Sequence, residues 1–116
     1  MYLILFVLSD YTYLEDVLAA WEEAGVRGIT ILPSTGLARM RQAALREDMP
    51  LFPSLEDMFE GQENLNRTLF TVIDSDNMVE RVVAATEGVI GPLTNPNTGI
   101  LIVLPVARVY GLQKKS

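Results

Sequence analysis

Residues Leu5–Glu22 (LFVLSDYTYLEDVLAAWE) and Phe70–Glu87 (FTVIDSDNMVERVVAATE) align without a gap, 65 positions apart. Val7 falls on Val72, Leu8 on Ile73, Leu14 on Val79 and Glu15 on Glu80. Val17-Leu18 falls on Val82-Val83, and Ala19-Ala20 on Ala84-Ala85. Each copy reads as an apolar strand, a short polar turn and an amphipathic helix. A further apolar run follows at Gly28–Pro33 and at Gly99–Val106. A chain written as βαβ twice has few ways to bury both helices, and the duplicated ferredoxin-like βαββαβ sandwich is the simplest. The expected fold class is therefore α+β, as a single domain over residues 1–116. The copies do not cover Thr35–Asn66, so a long excursion separates the second and third strands, far beyond the usual connection of roughly 4–6 residues.

The helix signals keep the same register. Thr12 with Glu15, and Asn77 with Glu80, read as capping boxes. Leu14, Val17, Leu18 and Trp21 lie at helical spacing, as do Met78, Val79, Val82 and Val83, which predicts one apolar stripe on each helix facing the sheet. Trp21 reads as core on this pattern. Gly25 is placed to stop the first helix, and Gly88 or Gly91 the second.

The strands depart from simple alternation. Tyr2–Leu8 and Ile100–Leu104 are unbroken apolar runs, so both faces of the sheet are apolar. Two helices cover one face only. Self-association through the other face is the simplest reading, with the excursion folding back over it as the alternative.

Composition removes several kinds of chemistry. There is no cysteine for a disulfide or thiolate, and no histidine to act as general base or transition-metal ligand. Half of the chain is hydrophobic (49%), so it is expected to fold. No apolar run reaches the roughly 20 residues of a membrane-spanning helix. Met1 runs directly into the first strand, leaving no room for a secretory leader, and the expected compartment is cytoplasmic. A net charge of −6 argues against nucleic acid as partner.

Three of the nine basic residues, Arg39, Arg41 and Arg46, nevertheless fall together in the excursion, either as a solvated helix face or as an anion or partner contact. Ala38–Glu47 has helical propensity, Pro50 and Pro53 break it, and Ser54 with Asp57 are placed to cap a short turn. Leu51, Phe52, Leu55, Met58 and Phe59 lie beside the arginines, a mixture found in interface cores. Arg41, Arg46, Phe52 and Phe59 are the candidate partner-binding residues. Two glycine-bearing turns, Thr35–Arg39 and Asn95–Gly99, offer backbone N–H groups, small residues and an arginine that can cradle an anion, although turns need glycine, asparagine and proline in any case.

The order Gly25-Val26-Arg27-Gly28-Ile29-Thr30-Ile31, Gly36-Leu37-Ala38-Arg39 and Gly99–Val109 (GILIVLPVARV) resembles the nitrogen-regulatory P-II signalling family. That family carries a GxxGMT strand, a GFGR turn opening a long T-loop, and a GKIFVxPVxRV last strand. The resemblance spans nearly the whole chain. It implies a homotrimer with ligand clefts between subunits, a small-molecule effector, and a transporter or enzyme as target of the excursion. It also implies ligand-binding roles for Thr30, Gly36, Leu37, Arg39, Thr98 and Gly99. The departures are specific. The family's phosphate-contacting lysine is Ile100, its two late arginines are Gly111 and Gln113, its T-loop glutamine is Met40, and its TGxxGDGK loop is replaced by Gly91–Thr98. Charge-assisted hydrogen bonds contribute roughly 1.5–3 kcal/mol each, so losing three cations predicts poor ATP and 2-oxoglutarate binding. No cofactor, catalytic residue or metal ligand is assigned. The alternatives on the same fold are a small non-metal enzyme and a trimer binding hard cations through oxygen ligands, like the divalent-cation tolerance proteins.

Overall fold

A computed structural model describes residues 1–37 and 66–112. The chain runs β1 (Tyr2–Leu8), a 3-10 turn (Tyr11–Tyr13), α1 (Leu14–Ala24), β2 (Thr30–Ser34), β3 (Asn66–Ile73), α2 (Asp76–Ile90) and β4 (Gly99–Pro105). It is an α+β fold, with two helices on a four-stranded antiparallel sheet of order β2-β3-β1-β4. That order interleaves the two βαβ units and is consistent with the ferredoxin-like arrangement. The expectations for Arg39, Arg41, Arg46, Phe52, Phe59, Met40 and Gln113 lie outside the described residues.

The core repeats with the sequence. Ile4 and Leu69, Phe6 and Thr71, Leu8 and Ile73, Val17 and Val82, and Trp21 and Thr86 are equivalent pairs, and all ten residues are buried. Among the described residues only Val26 is buried without a buried equivalent. Leu5 and Phe70 stand directly opposite each other in the β1–β3 ladder and are themselves equivalent, so a pseudo-twofold axis passes between them. Each fully buried apolar side chain of this kind contributes roughly 1.5–3 kcal/mol relative to exposure.

Helix starts differ from the expected capping boxes. Ser75 caps α2, its hydroxyl accepting from the Met78 N–H at 3.2 Å. Asp10 accepts from the Thr12 N–H at 3.0 Å and from the Thr12 hydroxyl at 2.6 Å, which opens the 3-10 turn ahead of α1. The caps lie two residues before Thr12 and Asn77, because Asp10 and Ser75 hold the extended backbone a capping residue needs whereas Asn77 is already helical. They are still equivalent positions. Gly25 (φ 113°) ends α1 in the left-handed region, and Gly91 (φ 86°) ends α2.

The outer strands obey a different spacing. Thr30 pairs with Phe70 while Leu5 pairs with Ile102, so Thr30 and Ile102 occupy equivalent places, 72 positions apart instead of 65. Leu32-Pro33 then matches Leu104-Pro105, a correspondence hidden in a gapless alignment. The extra residues of the second half lie in the α2–β4 connection.

Candidate functional site

Strand pairing sorts every side chain to one face. Ile4, Phe6 and Leu8, with Leu69, Thr71, Ile73 and Leu101, face the helices. Leu3, Leu5 and Val7, with Phe70, Val72, Leu32, Ile100, Ile102 and Leu104, share the opposite face. No described helix covers that second face, and Ile100 (62%), Leu32 (48%), Leu104 (46%) and Ile102 (41%) are exposed. Isolated surface apolar residues need no explanation, but these form a contiguous stripe across four strands. Val103, next to Ile102, sits on the helix side at the sheet margin, because adjacent strand residues point to opposite faces.

At one end this apolar face turns polar. The ends of β1 and β2 and the beginnings of β3 and β4 enclose a half-open cavity of about 460 Å³. Its floor is the cross-strand row Ile100–Val7–Thr68, with Ser34 and Asn66 paired beyond it. Ser9 closes the β1 end, Thr35-Gly36 one rim and Asn97 with Gly99 the other. The Thr68 hydroxyl donates to the Ser34 Oγ at 2.8 Å, bridging β2 and β3 across the floor. No ionisable side chain is among the described residues that line it.

The two glycine turns meet here, from opposite ends of the chain. Gly99 has a structural duty. At φ 140° its Cβ position would lie 2.4 Å from the Val7 carbonyl oxygen and 2.9 Å from the Phe6 ring, so no side chain fits. Gly36 has none of this: no described atom lies within 4 Å of where its Cβ would be. Thr98 stands next to Gly99, with its hydroxyl donating to the Asn95 carbonyl at 2.9 Å, inside its own loop. Leu37 follows Gly36 and is 55% exposed, outside the lining. Thr30 is at the far end of β2, paired with Phe70 and away from the cavity.

Sequence reasoning did not select Ser9, Ser34, Asn66, Thr68 or Asn97 as site residues. Isolated hydroxyl and amide residues carry no motif, and only the strand register brings them together. Ile100 forms part of the cavity floor.

The chain matches no protein-family model and no curated protein. Among the described residues no group of three or more acidic side chains is placed to hold a metal ion, and no helix is long and apolar enough to cross a membrane.

Proposed function

We propose that the protein is a P-II-like signalling or regulatory trimer that binds a small effector in clefts between subunits. It docks on a partner protein, a transporter or enzyme, through its 35–66 excursion. The single observation that carries this reading is continuity. The uncovered apolar face runs without a break into the polar cavity through Val7 and Ile100, which belong to both. A second copy laid on that face would bring its own residues to the open side of the cavity, and the chain leaves the sheet for the excursion at the cavity's Thr35-Gly36 rim.

The motif order, the duplicated scaffold and the strand order support the ferredoxin-like, T-loop-bearing form of the fold. A cysteine-free, acidic chain fits a cytoplasmic regulator. Light scattering on the full chain in dilute buffer should give three times the 12.9 kDa chain mass. A monomer at micromolar concentration would refute the assembly and, with it, the inter-subunit cleft.

A further inference from the structure

Taking the cavity as the effector cleft proposed above, we infer that its ligand is an uncharged, polyhydroxylated ring compound of the sugar or nucleoside type, and not the phosphorylated form of one. Six neutral residues with hydrogen-bonding side chains line one space, Ser9, Ser34, Thr35, Asn66, Thr68 and Asn97, of which Thr68 and Ser34 bond each other and Asn66 has a further interaction of its own. Hydroxyls and carboxamides both donate and accept, so together they match a ligand that also presents both, as a polyol does. An anion presents acceptors only and would leave half of that capacity unused.

The details point the same way. Ser34 accepts the Thr68 proton, which leaves its own O–H to give to a ligand oxygen, and a hydroxyl chain of this kind polarises its outer member. The hydroxyls of Ser9 and Thr35 and the amide of Asn97 have no hydrogen-bond partner among the described residues. The floor residues Val7 and Ile100 offer a flat apolar surface for the C–H face of a ring. Among the described lining residues, an aliphatic side chain occupies the floor where an anion site would place lysine or arginine, and an anion left unpaired against such a surface loses its hydration without compensation. The volume, about 460 Å³, lies in the range of small-molecule sites.

The test is a titration of the isotope-labelled full chain, followed by amide NMR, with two matched pairs: ribose against ribose 5-phosphate, and uridine against uridine 5′-phosphate. The uncharged member of at least one pair should shift the amides of Ser9, Gly36, Asn97, Gly99 and Ile100 saturably, and its phosphate should bind at least tenfold more weakly. Thr68→Val keeps the side-chain shape without the hydroxyl and should weaken binding by about tenfold. Ser9→Ala, outside the strand ladder, provides the same comparison should Thr68→Val unfold. Tighter binding of a phosphorylated member at those amides, or no saturable shift with either uncharged probe, overturns the inference. Neither result bears on the light-scattering mass, so failure of the ligand class and failure of the trimer are told apart.

Discussion

Trp21 donates its indole N–H to the hydroxyl of Thr86 at 2.8 Å, and the two are the same position of the duplicated unit, 65 residues apart. The pseudo-twofold axis that passes between Leu5 and Phe70 on the sheet thus also relates the two partners of the buried hydrogen bond between the helices. Symmetry alone would put two tryptophans or two threonines there. The chain uses one of each, and likewise sets Phe6 against Thr71, so the bulky partner in both pairs comes from the first half. Phe6 and Trp21 pack with ring centroids 6.3 Å apart at a 41° tilt, filling space that a strictly repeated core would overfill.

Thr86 is therefore expected to be a sensitive core position. Its hydroxyl accepts from Trp21 and donates to the Val82 carbonyl at 2.7 Å. Thr86→Val preserves volume but leaves the indole N–H buried without a partner, at a cost of about 1–3 kcal/mol. Urea unfolding followed by tryptophan fluorescence measures this, and an unchanged midpoint would count against it.

A second expectation concerns alkaline pH. The Tyr2 phenol at the start of β1 has its pKa raised above 10.0, first by its hydrogen bond to Asp76 on α2 and then by that carboxylate's charge. The folded state thus holds the proton more tightly than the unfolded chain does. The associated stability is fully present below the unfolded-state value of 10.0 and is lost as pH rises through the higher folded-state value. Tyr2→Phe should flatten this part of the stability profile between pH 9 and 11 (roughly the range around a free phenol). A variant profile as steep as wild type would exclude Tyr2 as the source.

The two faces of β4 predict opposite outcomes for adjacent residues. Ile102→Asp places a charge in the uncovered apolar face and should lower the solution mass while leaving circular dichroism native, since a buried unpaired charge in an interface costs several kcal/mol. Val103→Asp, on the helix side, should lower the melting temperature of the subunit itself. Native-like mass for Ile102→Asp would mean that the exposed face is not the contact.

The two cavity glycines should also part company. Gly99→Ala pushes a methyl group into the Val7 carbonyl and the Phe6 ring and should destabilise by about 1–3 kcal/mol or more. Gly36→Ala meets no described atom. Its melting temperature should equal wild type, so any change in ligand or partner binding reports on function alone. Equal destabilisation by both would contradict the geometry at Gly36.

Much of the scaffold was legible in the sequence because duplication is a strong signal. The strand and helix order, the apolar stripe of α1, Trp21 as core and the left-handed stop at Gly25 all follow from periodicity and repeat register, whereas in α2 Val83 stays outside the core cluster and Thr86 is buried. The capping residues were misplaced because Thr12 and Asn77 are good capping types; the backbone turns extended two residues earlier, at Asp10 and Ser75. The correspondence of Leu32-Pro33 with Leu104-Pro105 was hidden because the α2–β4 connection is longer, and only the pairing register restores it. The cavity was half legible. Glycine turns announce themselves, whereas Ser9, Ser34, Thr68 and Asn97 are unremarkable until four strand ends are brought side by side.

The close fit of Gly99 over the Phe6 ring gives the cavity two walls that differ in packing among the described residues. The Gly99 wall cannot shift without disturbing the aromatic packing that joins the sheet to α1, so it behaves as a fixed reference. At the opposite wall, Thr35-Gly36, a Cβ on the glycine would meet no described atom, and the chain continues from there into residues 38–65. On its Gly99 side the cavity therefore takes its shape from the same packing that holds the core together.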